Sequence, residues 1–129
     1  MKSPDGRRHV IKSDYMELRM GSPQFGSIRV KGGEALTSGR TFGQSMAFSR
    51  DSRYLAIEEF VGTTGDHGPH TRAVVFDLDR SREYTAHDEP GGLIHELRWE
   101  ADGSLSVVAW AHPSGRAEHQ SVWRPDSKE

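Results

Sequence analysis

The stretch that most constrains the fold is residues 48–60, FSRDSRYLAIEEF, which has the pattern of a β-hairpin. A polar turn around Asp51 separates an apolar stub from an alternating run over residues 54–61. Successive side chains of a strand point to opposite faces. In this run, Leu55 and Ile57 share one face with Glu59, while Ala56 shares the other face with Glu58. A strand that is apolar on both faces is predicted to lie centrally in a sheet covered on both sides.

Looser copies of this hairpin occur at residues 3–11 and 100–108, and the turn aspartates Asp5, Asp51 and Asp102 are 46 and 51 residues apart. Repeats of about 40 to 50 residues with four strands per unit are typical of propeller blades. A closed ring needs about four blades, and 129 residues are too few. The prediction is therefore an all-β antiparallel fold of two to three blade-like sheets, packed as a sandwich or as an open partial propeller. Assembly of several chains into a ring is the alternative.

Turn signals elsewhere divide the chain into about nine or ten short strands with little or no helix. Residues 15–20 fit a strand or a helix, since they include good helix formers. We expect one domain spanning residues 1–129, with units at about 1–40, 41–87 and 88–125.

Composition excludes several classes of protein. The formal net charge is -2 with acidic and basic residues interleaved, which argues against nucleic-acid binding through a basic face. The absence of cysteine excludes disulfides and thiolate chemistry. The N-terminal residues lack the apolar core of a signal peptide, and no apolar run approaches the ~18 residues of a membrane span. These features predict a soluble cytoplasmic protein without a membrane or nucleic-acid partner, as a monomer or small homo-oligomer.

The hairpin at residues 48–60 with VVFDLD, and LRWEADGSLSVVAW with SVWRP, resemble blades of the WD-repeat and Tol-type propeller families. Those blades carry an apolar-Ser-Pro-Asp-Gly-apolar hairpin followed by an apolar-Trp/Phe-Asp-Leu strand. Here Arg50 stands in place of the proline and Ser52 in place of the glycine, and the third copy lacks Ser-Pro. The resemblance covers most of the chain in short motifs and implies blade-like sheets.

Histidines are the first candidates for chemistry. Asp66, His67 and His70 lie together in a glycine-rich loop, but a zinc site needs three or four ligands in defined geometry. His95 falls on the same face of its predicted strand as Leu93 and Leu97, which is typical of a core histidine. No nucleophile elbow, phosphate loop or HExxH motif is present. We therefore predict a protein that is not an enzyme and needs no cofactor or metal.

Acidic and aromatic residues are the stronger candidates. A carboxylate on an apolar strand must be paired, lie at a rim, or bind something, and this applies to Glu58 and Glu59. Asp14 and Glu17 form a similar pair in the first unit, residues 1–40, and Trp110 and other aromatics are anchors of the type found in protein interfaces. The competing interpretation is a tryptophan core with carboxylates salt-bridged to arginines. The residues that we expect to contact a partner are Glu58, Glu59, Asp14, Glu17, Tyr15, Trp110 and His70.

The opening MKSPDGR, the MGSP at residues 20–23 and the hairpin at 48–60 resemble small bacterial polypeptides encoded beside toxins. That resemblance to immunity proteins implies a protein that covers the active site of a cognate toxin, with acidic and aromatic side chains entering a basic or nucleotide-handling cleft. Two alternatives remain open. One is a β-sandwich that binds a small, sugar-like ligand through Trp110 and His70, and the other is a metal-dependent enzyme that uses Asp66, His67 and His70.

Overall fold

A computed structural model describes residues 1–17, 24–63, 69–111 and 118–125. Regular structure within these ranges is entirely β, so the prediction of an all-β antiparallel fold is confirmed. The described residues contain no helix long and apolar enough to cross a membrane. The strands are β1 (His9–Glu17), β2 (Gln24–Lys31), β3 (Thr41–Phe48), β4 (Tyr54–Thr63), β5 (Pro69–Asp77), β6 (Arg82–Glu89), β7 (Gly92–Trp99), β8 (Leu105–Ala111) and β9 (Glu118–Trp123).

The described strands form two sheets in which each strand pairs with its neighbour in the chain. The larger sheet has the order β1-β2-β3-β4-β5-β6, and the smaller has the order β7-β8-β9. Strands β2 and β3 are joined by one residue pair, Gly26 with Phe42, so the β1–β2 hairpin is loosely attached to the rest of its sheet. Val10 and Ile28 of this hairpin nevertheless lie in one core with Leu55. The hairpin therefore covers one face of β3–β6.

Strand β4 contributes to two cores, as its sequence pattern predicts. Leu55 and Ile57 lie in the first core with Phe42 and Phe76. Ala56, on the opposite face, lies in a second core that includes buried residues of β7 and β8. The smaller sheet thus packs on the second face of the larger one, and β4 is covered on both sides. Burial of one apolar side chain stabilises the fold by about 1.5–3 kcal/mol.

The three turns predicted to be copies share one geometry. Each turn aspartate accepts a hydrogen bond from the backbone N–H two residues later: Arg7 to Asp5 at 3.0 Å, Arg53 to Asp51 at 3.1 Å and Ser104 to Asp102 at 2.9 Å. Each aspartate is followed by a residue with positive φ: Gly6, Ser52 and Gly103. Ser52 adopts a φ of 65° where the other copies have glycine, so the turn keeps its shape despite the substitution.

Candidate functional site

A bulge in β3 lies opposite Glu58 and forms the candidate site. Phe42 pairs with Glu59 and Met46 pairs with Ile57, so three residues of β3 lie opposite Glu58 alone. A bulge bends its strand and redirects side chains. Here it opens the sheet next to the Glu58 carboxylate.

Gly43 is the first residue of this bulge, and a side chain at this position would collide with the Glu58 carboxylate. A Cβ atom at position 43 would lie 2.0 Å from Glu58 Oε1. The Tyr15 hydroxyl donates a hydrogen bond of 2.9 Å to the Gly43 carbonyl, which ties β1 to the bulge. Burial, and then the charge of Glu58, raise the pKa of Tyr15 to about 12. Tyr15 and Glu58 are therefore neighbours, although 43 positions separate them in the chain.

The Glu58 carboxylate is buried and is held by the backbone. The residue is 3% exposed, and its Oε2 accepts a hydrogen bond of 3.0 Å from the Ile94 N–H. The N–H groups of Gln44 and Ser45 also donate to this carboxylate. Burial raises the pKa of Glu58 to about 7, despite these three hydrogen bonds. Within the described ranges, no lysine or arginine forms an ion pair with Glu58.

A cavity of about 180 Å³, which we call the Glu58 pocket, lies over this carboxylate. The larger sheet supplies Glu58 and the bulge, and the smaller sheet supplies Leu93, His95 and Trp110. The His95 and Trp110 rings are stacked with centroids 3.8 Å apart, and Trp110 is 39% exposed. Stacked aromatic rings above a buried carboxylate form a pocket with apolar walls and an acidic base.

The pocket adjoins an open surface on the smaller sheet. His95 also lines a shallow groove of about 600 Å³ that runs across this sheet. The side chains that face away from the core on these strands, here called the outer face, are His95, Glu96, Arg98, Ser106, Val108, Trp110, Glu118, Gln120 and Val122. Val122 is 60% exposed, and the Trp110 indole N–H lies 3.4 Å from Glu118 Oε1. The outer face and the Glu58 pocket therefore form one continuous surface.

The structure brings three of the predicted partner-binding residues together. Glu58 and Trp110 line the same pocket, and Tyr15 contacts the bulge behind it. Glu59 is separate, because it points to the opposite face of β4 and is held there by Arg40 and Arg72 at 2.8 Å. Burial tends to raise the pKa of Glu59, but hydrogen bonds from these arginines outweigh burial and hold it below its usual value. Glu59 is thus an internal ion-pair residue.

The acidic pair of the first unit and His70 also lie apart from the pocket. Asp14 and Glu17 are exposed on β1 and do not line the pocket, and Asp14 has a positive φ of 58° within a bulge. Thr71 reaches toward the smaller sheet, donating to the Gly92 carbonyl, so His70 points to the opposite face of β5. His70 Nε2 lies 2.7 Å from Asp88 Oδ1.

Most of the loop considered as an alternative metal site lies outside the residues that the structure describes. Asp66 and His67 lie outside the described residues. Among the residues that are described, no group of three or more histidine, aspartate or glutamate side chains is arranged to hold a metal ion.

The prediction of a core position for His95 is wrong. A bulge in β7 shifts the register between Ile94 and Glu96, so Ile94 and Leu97 point into the core. His95 lies at the bulge and is exposed. Strict alternation cannot anticipate such a shift, because one extra residue reverses the side-chain order.

A second polar cluster joins the two sheets and has no signature in the sequence. The buried Glu89 of β6 contacts His87 Nε2 at 2.8 Å and His119 Nδ1 of β9 at 2.8 Å. His87 Nδ1 lies 2.9 Å from Ser121 Oγ, also on β9. Ser121 and His119 come from a strand 30 or more positions further along the chain. Their contact depends on how the sheets pack, so no local motif predicts it.

Comparison with protein-family models, with curated proteins and with solved structures finds no match to this chain. The functional proposal therefore draws on the geometry of the site and on the sequence resemblance described above.

Proposed function

We propose that the protein binds another protein through the outer face and the Glu58 pocket, and that it is a cytoplasmic immunity protein which covers the active site of a cognate toxin. The observation that carries this proposal is the exposed Trp110, stacked on His95 at the edge of a pocket. Aromatic side chains beside small pockets are frequent anchors of protein interfaces. In this proposal the protein binds and does not catalyse.

The size of the pocket favours a protein partner over a free ligand. Pockets for drug-sized ligands have volumes of about 300–1,000 Å³, whereas the Glu58 pocket has about 180 Å³. That volume suits one side chain of a partner. The adjoining groove of about 600 Å³ is lined by all three strands of the smaller sheet, which suits the remainder of an interface.

The charges around the pocket favour a basic partner. Glu118 lies on the outer face, and Glu58 lies at the base of the pocket. Arg98 is already paired with Glu96 and Glu100 at 3.4 and 3.0 Å. A basic cleft would complement this surface, and complementary charges raise association rates and exclude wrong partners.

The test is rescue of growth. Each reading frame next to the gene is expressed alone to find one that is toxic, and the protein is then co-expressed with it. We expect rescue by the natural chain, loss of rescue with Trp110→Ala, and retained rescue with Leu36→Ala, which alters an exposed residue on the β2–β3 connection. The proposal fails if no neighbouring product is toxic, or if Trp110→Ala rescues as well as the natural chain.

Binding of a sugar-like ligand is the second candidate, since Trp110 and a carboxylate share one pocket. Stacking on an aromatic ring and hydrogen bonding to a carboxylate would orient such a ligand. Titration calorimetry with a panel of sugars and nucleotides separates the two candidates. An immunity protein gives no heat with this panel, whereas saturable heat that Trp110→Ala removes would favour the ligand-binding function.

A further inference from the structure

The two adjacent buried carboxylates, Glu58 and Glu59, have different hydrogen-bond partners. Glu59 meets two guanidinium groups, from Arg40 and Arg72, at 2.8–2.9 Å. Glu58 is equally buried but meets only backbone N–H groups in the part of the chain that the structure describes. An ionised carboxylate in an apolar environment carries a large desolvation cost unless a cation pairs with it. Glu58 is therefore an acidic site whose charge is incompletely compensated by this chain.

The Glu58 pocket has the layout of a receptor for a long side chain with a cationic end. Its walls are the apolar side chains of Leu93 and the stacked rings of His95 and Trp110, and its base is the Glu58 carboxylate. Arginine combines an aliphatic stem with a planar guanidinium group that stacks on aromatic rings and pairs with carboxylates.

We infer that the Glu58 pocket binds the side chain of an arginine of the partner, with its guanidinium group directed to Glu58 and its stem against Trp110. This inference deepens the proposed function and rests on it. Glu118, whose Oε1 lies 3.4 Å from the Trp110 indole nitrogen, adds a second carboxylate beside the same ring. The partner's arginine would thus supply the cation that the buried carboxylate lacks.

The experiment uses the full chain and a small probe, N-acetyl-arginine methylamide. Its neutral analogue N-acetyl-citrulline methylamide has nearly the same shape without the charge, and N-acetyl-lysine methylamide tests the charge without the planar group. Each probe is titrated at pH 8 while amide and indole N–H resonances are recorded by NMR. We expect arginine to shift the Trp110 indole and the Ile94 amide and to bind at least about tenfold more tightly than citrulline.

Substitutions test whether the arginine probe binds in the Glu58 pocket. Glu58→Gln keeps the size of the side chain and should weaken arginine binding about tenfold or more, while Glu34→Gln, at an exposed carboxylate on the β2–β3 connection, should leave it unchanged. Trp110→Ala, which does not alter the carboxylate, should also weaken binding. Three results would overturn the inference: equal binding of the arginine and citrulline probes, no shift of the Trp110 indole resonance, or undiminished arginine binding by both Glu58→Gln and Trp110→Ala.

The two proposals fail separately. If the arginine probe binds as described but no neighbouring product is toxic, the pocket stands and the immunity function fails. If the chain rescues growth in a Trp110-dependent way but the arginine probe does not bind, the immunity function stands and the arginine pocket fails.

Discussion

Glu58 and Glu59 are adjacent in β4 but occupy opposite faces, and they have opposite pKa shifts. Arg40 and Arg72 hold the pKa of Glu59 below its usual value, whereas burial raises that of Glu58 to about 7. Glu59 forms ion pairs with Arg40 and Arg72, whereas Glu58 lies at the base of a pocket. Substitutions at these sites should therefore have different consequences.

Arg40→Ala should destabilise the fold by about 3 kcal/mol, because it leaves the buried Glu59 with one of its two cations. Arg40 also binds Glu83 and lies over the rings of Phe42 and Phe76, so packing is lost as well. The matched control is Arg98→Ala, in an exposed ion pair, which should cost less than about 1 kcal/mol. Urea unfolding measures both, and equal costs would contradict the prediction.

Gly43→Ala should destabilise the fold by about 1–3 kcal/mol, because the new Cβ would lie 2.0 Å from Glu58 Oε1. Shortening Glu58 to alanine removes this clash. In a double-mutant cycle, Gly43→Ala should therefore cost much less in the Glu58→Ala background. Additive effects of the two substitutions would show that the bulge does not depend on their contact.

Glu58 should make the fold less stable as the pH rises from about 4.5 to about 7. The folded-state pKa is raised from 4.5 to about 7, so the folded chain retains a proton that the unfolded chain releases. The contribution is fully present below pH 4.5 and is lost as the pH passes 7, and it amounts to roughly 3 kcal/mol.

Glu58→Gln should remove this part of the pH dependence. Urea unfolding at intervals from pH 4.5 to 8 gives the free energy of unfolding as a function of pH. The slope of this dependence is compared between the natural chain and the variant. Tyr15, His95 and Glu118 are the other titratable groups near the pocket, and they are the same in both proteins. Parallel slopes would mean that Glu58 does not hold its proton in the folded state.

Replacing Trp99 should destabilise the fold, whereas replacing Trp110, which we propose binds the partner, should leave the fold nearly as stable. Trp99 donates a hydrogen bond of 3.0 Å to the Ala47 carbonyl and stacks on Tyr54, so Trp99→Ala should cost about 3–5 kcal/mol. Trp110 is exposed at the pocket edge, and Trp110→Ala should cost about 1 kcal/mol or less. Thermal unfolding measures both variants. A large loss of stability in Trp110→Ala would make this residue structural.

Glu89 should couple the two sheets. Glu89→Ala removes the contacts with His87 and His119, so the free energy of unfolding, measured in urea, should fall by about 2–3 kcal/mol. A double-mutant cycle with His119→Ala should give a coupling of about 0.5–3 kcal/mol, since His119 lies on the other sheet. A coupling near zero would mean that the cluster does not hold the sheets together.

The sequence by itself determined the β class, the hairpin at residues 48–60, the three equivalent aspartate turns and the double burial of β4. These features depend on neighbouring residues: a strand alternates every two positions, and a turn needs particular residue types at fixed offsets. Ser52 shows that this information tolerates substitution, because it keeps the positive φ of the glycines in the other copies.

Tertiary structure alone decided which acidic and aromatic residues meet. Residues 43–45 bulge around Glu58, and Ile94 and Trp110 arrive from the smaller sheet. The β7 bulge likewise reverses the orientation predicted for His95. A bulge adds one or two residues with little trace in the sequence, and the packing of sheets joins positions that are far apart in the chain. The sequence could therefore identify Glu58 and Glu59 as unusual, but only the packing showed that Glu59 is paired and that Glu58 faces a pocket.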